Sequence, residues 1–162
     1  MSAPSRWKPT PAAKVYEAFS AVADGRVHLL DGRRAEVESS GRDRSYTVEW
    51  NDDLTSVTSN DNASYWQGYL GYPAVAVLLT LGALRADRAT VDLFAGVPWH
   101  ELNARFRRDY DAAVDSVLAT LAEGGVERDR VVAEVDAVLA QLAALGLQRP
   151  PRARRPPRAG HS

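Results

Sequence analysis

The chain lacks cysteine altogether, although it has 162 residues. Disulfide bonds and cysteine-ligated zinc are therefore excluded, and a cytoplasmic protein is the expected class. The beginning of the chain, MSAPSRWKPTP, has no apolar signal core. No apolar run approaches the roughly 18 to 20 residues that a membrane-spanning helix needs, so we expect no membrane partner.

Histidine is also scarce, with three residues, His28, His100 and His161. None of them has the spacing to another candidate side chain that a metal site or an activated nucleophile needs. A Gly-x-Ser-x-Gly elbow and a glycine-rich phosphate loop are both missing from the sequence. We therefore expect a protein that is not an enzyme and has neither a cofactor nor a metal ion.

Lysine is nearly absent, since arginine supplies 18 of the 20 basic residues. The net charge of −1 hides an asymmetry, because every acidic residue lies at or before Asp136. After Leu147 the sequence QRPPRARRPPRAGHS contains five arginines and no hydrophobic residue larger than alanine. Such a composition predicts a disordered tail over residues 148–162. Residues 1–9 are predicted to form a flexible N-terminus.

The first two thirds of the chain contain a helix start followed by several short strand-like segments, and this pattern predicts an α+β domain over residues 10–98. Thr10 and Pro11 are typical of a helix start. Segments of alternating hydrophobicity follow at residues 26–30, 35–39, 45–50 and 54–58, and turn sequences separate them. We expect a small four-stranded antiparallel sheet packed on helices, with a buried helix from Pro73 to about Leu84.

Residues 99–147 are predicted to form a helical hairpin that completes the core and resembles a zipper. One helix is expected from Pro98 to Gly124 and a second from Arg128 to Leu145. Apolar residues on the second helix alternate spacings of three and four, which is typical of a coiled-coil seam. The seam predicts a homodimer, with a dimer of dimers as a further possibility, although the helix can also fold back on its predecessor. Its residues are Val131, Val135, Val138, Leu142 and Leu145.

The segment SNDNASYWQGYLGYPAVAVLL concentrates aromatic rings and glycines beside a buried run. Rings at this density either pack in a core or stack on flat ligands, and nucleic-acid bases are common ligands of that kind. Arginines in the strands and turns could contact phosphates around such rings. The candidate nucleic-acid-binding residues are Tyr46, Trp50, Tyr65, Trp66, Tyr69, Tyr72, Arg33, Arg34, Arg42 and Arg44.

The order of these features resembles ThermoDBP and its related proteins, a single-stranded DNA-binding family of thermophilic archaea. The resemblance rests on the N-terminal helix, the small sheet, the segment YWQGYLGYPAVAVLL and the zipper-like C-terminal helix, over roughly residues 9–147. It implies that a strand binds in a cleft between sheet and helices, lined by aromatic and basic residues, and that C-terminal helices join subunits.

The sequence therefore predicts a protein that binds single-stranded DNA, and RNA as a second ligand, largely without sequence preference. The aromatic segment would supply stacking, and the arginines and tail would steer the strand. The alternative is a protein-interaction adaptor, in which the aromatic segment belongs to the core and the basic tail docks on acidic partners.

Overall fold

The computed structural model describes residues 5–151 and 155–157, and it confirms the α+β class. A four-stranded antiparallel sheet packs on helices, with one helix before it and the remaining helices after it. The strands are β1 Ser5–Arg6, β2 Val27–Asp31, β3 Arg34–Glu38, β4 Ser45–Trp50, β5 Val57–Ser59 and β6 Gln148–Arg149. The helices are α1 Ala12–Ala23, α2 Tyr72–Thr80, α3 Arg88–Asp92, α4 Trp99–Arg105, α5 Tyr110–Glu123 and α6 Arg128–Leu145, with a π-helical turn at Ala63–Gln67.

The sheet has the strand order β2-β3-β4-β5, as expected of a meander of short connections. Ala35 stands opposite Val48, and Val37 stands opposite Tyr46. Because side chains alternate between faces along a strand, these residues share the inner face that packs on the helices. The outer face carries the polar alternates of the same strands, such as Glu36 opposite Thr47.

Two helices form the centre of the core, and both were expected from the sequence. Every residue of α1 from Ala13 to Ala21 is buried. In α2 the buried residues run without interruption from Pro73 to Leu78, which fits its uniformly apolar sequence. Across the described part of the chain, no helix combines the length and apolar character needed to cross a membrane.

The single helix predicted from Pro98 to Gly124 is wrong, because the chain forms two helices, α4 and α5, in its place. Residues 106–109 separate them, and both Arg107 and Arg108 have positive φ, at 52° and 65°. A left-handed conformation costs a residue with a side chain about 1 to 2 kcal/mol. The amide of Arg108 donates to the carbonyl of Asn103, 2.7 Å away, and Asp109 caps α5 by accepting from the amide of Ala112.

Helix α6 has the predicted bounds, but its apolar seam has a different role. It packs against α1 and α5 of the same chain. Val131, Val135, Val138 and Leu142 are buried there, and Leu145 is partly buried against the same core. The chain's own core thus covers four of the five predicted interface side chains and part of Leu145, so their burial does not require a second subunit. Homodimerisation itself stays a prediction.

The two ends of the described chain are paired with each other, contrary to the boundaries predicted for flexible ends. Strand β1 pairs antiparallel with β6 through Ser5 opposite Arg149. The indole Nε1 of Trp7 donates to the carbonyl of Val57 at 3.0 Å, which anchors the N-terminal segment on the sheet. The rest of the two predicted flexible ends, at residues 1–4, 152–154 and 158–162, lies outside the described residues.

Candidate functional site

A cleft of about 920 Å³ opens between the sheet and the helices. Its walls come from α1, the β3–β4 turn, β4, the segment around the π-turn, the start of α2, and the region where α4 meets α5. The lining residues are Lys14, Glu17, Arg26, Ser39, Ser40, Arg44, Tyr46, Asp61, Asn62, Ala63, Trp66, Gln67, Tyr69, Gly71, Tyr72, Trp99, His100, Asn103, Ala104, Arg108 and Tyr110.

Four of the aromatic residues predicted for binding line this cleft together. Trp66 has 69% of its surface exposed, so its ring is available to a ligand. Tyr69 and Tyr72 are partly buried, and Tyr72 contacts Tyr46 edge to face with the ring centres 6.2 Å apart. Burial raises the pKa of both Tyr46 and Tyr72, so both hydroxyls keep their protons at neutral pH and can donate hydrogen bonds.

The π-turn that carries Trp66 is fixed by a buried carboxylate. Asp61 accepts through Oδ1 from the hydroxyls of Ser59 and Ser64, at 2.5 and 2.7 Å, and through Oδ2 from the amide of Ser64 at 3.1 Å. The amide of Gly71 then donates to the Ser64 hydroxyl at 3.1 Å. We call these four residues the Asp61 knot. It ties the last strand of the sheet to the start of α2 and so sets the direction of the aromatic segment.

The aromatic segment is also held from outside the cleft by the paired ends of the chain. Arg149 donates from Nη2 to the carbonyl of Tyr65 at 3.1 Å, and its guanidinium lies 5.0 Å from the centre of the Trp7 ring. The amide of Lys8 donates to the carbonyl of Gly68 at 2.9 Å. The π-turn is therefore fixed on both sides, and Trp66 is exposed from a well-anchored backbone.

One wall of the cleft contains a buried ion pair from α1. The Lys14 ammonium lies 3.2 Å from Oε2 of Glu17 and 4.0 Å from the centre of the Tyr110 ring. Asn103 donates to the other carboxylate oxygen of Glu17 at 2.8 Å. Burial alone would lower the pKa of Lys14, but Glu17 and Tyr110 outweigh it and the pKa is raised. The Lys14 side chain thus stays protonated in the cleft, with its charge paired to Glu17.

The distance of 3.2 Å between Nζ of Lys14 and Oε2 of Glu17 is short enough for an ion pair. Oε2 of Glu17 nevertheless makes no hydrogen bond to any described residue. The attraction to Lys14 is therefore electrostatic without the alignment of a good hydrogen bond. A buried acceptor in this condition can still take a donor from a ligand.

Three arginines add positive charge to the cleft. Arg26 is 1% exposed, and its guanidinium carbon lies 5.9 Å from the centre of the Tyr72 ring. Arg44 directly precedes β4 and also lines the cleft. Arg108 belongs to the left-handed break between α4 and α5, and that break brings its side chain to the cleft wall. Strained backbone of this kind is often found at functional sites.

Five of the ten predicted binding residues do not line the cleft. Arg33 and Arg34 lie at the far end of the sheet and pair with carboxylates, Arg33 with Asp52 at 2.8 Å and Arg34 with Asp31 at 3.7 Å. They belong to a separate shallow depression on the surface.

The other three predicted residues outside the cleft have local partners. Arg42 binds the Glu38 carboxylate at 2.8 Å and the Asp24 carbonyl at 2.9 Å. Trp50 packs partly buried against the core. Tyr65 contacts Trp66 edge to face at 4.5 Å, so it supports the exposed ring from behind.

Several cleft residues were not among the predicted binding residues, because they come from helices to which the sequence assigned only a structural role. Lys14 and Glu17 belong to α1, and Asn103, Arg108 and Tyr110 come from the helix that was predicted to be continuous. A lysine and a glutamate three positions apart on an otherwise buried helix face are the signal that could have marked the α1 pair. Among the described residues, no group of three or more histidine, aspartate or glutamate side chains is arranged to hold a metal ion.

Fold and site together define an α+β protein with a cleft lined by aromatic and basic side chains. Residues 7–148 match the sequence profile of a family described as uncharacterised conserved protein UCP014422, and the chain belongs to this family. No curated protein and no solved structure shows a significant match to the chain. The family description assigns no activity, so the function has to be argued from the cleft.

Proposed function

We propose that this protein binds single-stranded nucleic acid in the cleft, DNA in the first place and RNA as a second ligand. The observation that carries the proposal is Trp66, a large ring with 69% of its surface exposed at a cleft that also holds Tyr69 and four basic side chains. A base stacked on such a ring contributes about 1 to 3 kcal/mol.

The charge distribution supports binding inside the cleft rather than along the sheet. Lys14 and Arg26 are fixed by burial, whereas Arg44 and Arg108 form no ion pair with any carboxylate of the described residues. On the outer face of the sheet, Arg34 is paired with Asp31 and Arg42 with Glu38, which leaves these arginines less free to contact a phosphate backbone. Affinity then depends on stacking and on a few phosphate contacts.

The lining also favours binding without strong sequence preference. Rings offer the same stacking surface to every base, and arginines contact phosphates that carry no sequence information. A volume of about 920 Å³ is at the upper end of the range for small-ligand pockets, roughly 300 to 1,000 Å³. The cleft therefore has room for a short stretch of strand.

The resemblance to ThermoDBP and its related proteins points to the same place, because that family is expected to bind strands between sheet and helices. The adaptor alternative gains nothing from the cleft, since an aromatic segment that belonged wholly to the core would leave no exposed ring. Trp66 is the residue that separates the two hypotheses.

Fluorescence anisotropy with a labelled oligo-dT of about a dozen nucleotides tests the proposal, with a labelled RNA of the same length beside it. We expect saturable binding by the wild type and a loss of about 1 to 3 kcal/mol in Trp66→Ala. Leu81→Ala removes another exposed apolar side chain that does not line the cleft, and it should bind like the wild type. The absence of saturable binding by the wild type would favour the adaptor.

A further inference from the structure

One end of the cleft is closed where the sheet side meets α4. The hydroxyl of Ser40, in the β3–β4 turn, accepts a hydrogen bond from the amide of His100 at 3.1 Å, although 60 positions separate them in the chain. Asp24 accepts from the amide of Gly96 at 2.7 Å and joins the end of α1 to the segment before α4. A strand that enters the cleft therefore meets a wall at this end.

The closed end is lined by donors. Arg44 is fixed through its backbone, since its amide donates to the Ser39 hydroxyl at 3.2 Å and its carbonyl accepts from the Ser39 amide at 2.8 Å. Its side chain lines the cleft together with that of Tyr46, two positions further along the chain. Tyr72 lies against Tyr46, and burial keeps both hydroxyls protonated. Cationic and neutral donors thus converge from two adjacent elements.

Arg26 also lines this end of the cleft, and one of its nitrogen donors lacks a hydrogen-bond partner among the described residues. Its Nη1 donates to the Glu38 carbonyl at 2.7 Å, whereas its buried Nε makes no hydrogen bond to the described residues and lies 3.5 Å from the Asp24 carboxylate. The carboxylate of Asp61 also lines the cleft, but three donors of the Asp61 knot already occupy it. Glu17 in the same lining is paired with Lys14, and Arg26 is paired with Asp24. Arg44 is therefore the arginine of this group that forms no ion pair with a carboxylate of the described residues.

We infer that Arg26, Arg44, Tyr46 and Tyr72 form an oxyanion subsite for a phosphate monoester at the end of a strand or on a free nucleotide. This inference rests on the proposed function and deepens it. The closed wall favours a chain end over a continuous strand, and a monoester carries more charge and more acceptor oxygens than an internal diester. Charge-assisted hydrogen bonds from arginine are the strong contacts for such a group.

The test compares the affinity of the full chain for three oligo-dT strands, phosphorylated at the 5′ end, at the 3′ end, or at neither. We expect one phosphorylated strand to bind about tenfold more tightly than the unphosphorylated strand, in keeping with one or two charge-assisted hydrogen bonds. Competition by dTMP against competition by thymidine measures the same subsite without a strand. We expect dTMP to compete with strand binding and thymidine not to compete.

Arg44→Gln should remove the preference for the phosphorylated strand. Arg42→Gln is the matched control, because Arg42 is two positions away, exposed, bound to Glu38 and absent from the cleft lining. Tyr46→Phe keeps the ring and removes one donor, so it should reduce the preference without unfolding the protein.

The outcomes separate the inference from the function on which it rests. Equal affinity of the wild type for all three strands would overturn the monoester subsite and leave single-strand binding intact. An equal loss in Arg44→Gln and Arg42→Gln would overturn it as well, because bulk charge alone would then explain the contacts. No binding to any strand would refute the proposed function itself.

Discussion

Gly71→Ala tests how the Asp61 knot positions the aromatic segment. A Cβ at residue 71 would lie 2.0 Å from Oδ2 and 2.8 Å from Cγ of Asp61, and 3.3 Å from the Cβ of Ala63. The φ of Gly71 is −79°, so the backbone would tolerate alanine and the whole effect would come from the clash. Asp61 would have to move and loosen its hydrogen bonds to Ser59 and Ser64.

The magnitude follows from those two costs. Forcing extra volume into a packed site costs about 1 to 3 kcal/mol, and weakening a buried hydrogen bond to a charged acceptor costs about 1.5 to 3 kcal/mol. We therefore expect the free energy of unfolding to fall by about 2.5 to 6 kcal/mol in urea denaturation followed by circular dichroism.

Gly32→Ala is the matched control, since a Cβ there would meet nothing within 4 Å and its φ is not positive. We expect a change within about 0.5 kcal/mol at that position. Equal unfolding free energies for the two variants would refute the role assigned to the Asp61 knot.

Further predictions concern the core, the sheet and the tail. Val135→Glu places a charge in the core that α6 shares with α1, so we expect the free energy of unfolding to fall by at least about 3 kcal/mol. Ala137→Glu, on the exposed side of the same helix, should change it little. Dissociation of a folded dimer without loss of stability in Val135→Glu would contradict this prediction. Hydrogen bonds from His28, and to a lesser degree from Arg42, lower the pKa of Glu38. The contribution of Glu38 to stability is therefore present above its ordinary pKa and is lost as the pH falls through the lowered value. An NMR titration of Glu38 should show a higher pKa in His28→Ala than in the wild type, and an unchanged titration midpoint would contradict this prediction. Truncation after Pro151 removes four arginines and keeps β6. If those arginines contact phosphates, the slope of the logarithm of the oligo-dT binding constant against the logarithm of the salt concentration should become shallower by about 0.7 for each phosphate that they neutralise. Identical slopes for the two proteins would show that they neutralise none.

The four strands of the main sheet and α6 could be predicted from the sequence because their patterns are local, although β5 is shorter than expected and the short strands β1 and β6 were not predicted. Alternation fixed β4 at residues 45–50, and the spacing of Val131 and Val135 gave α6 its bounds. The same spacing could not tell which surface would cover the seam, since an intramolecular partner and a second subunit demand the same apolar stripe.

The break between α4 and α5 and much of the cleft could not be predicted locally. Neither glycine nor proline marks residues 106–109, and two arginines adopt the left-handed conformation there. The cleft also joins Lys14 to Asn103 and Ser40 to His100, pairs from distant segments that only the packed fold brings together.

The most direct test of single-strand binding in the cleft is an NMR titration of the four tryptophan indole signals with oligo-dT. Trp66 and Trp99 line the cleft, whereas Trp7 and Trp50 do not. We predict a saturable shift that is largest for the exposed Trp66, smaller for Trp99, whose indole is bonded to Ser20, and negligible for Trp7 and Trp50. No shift of Trp66 at excess oligo-dT, or equal shifts of all four signals, would contradict binding in the cleft.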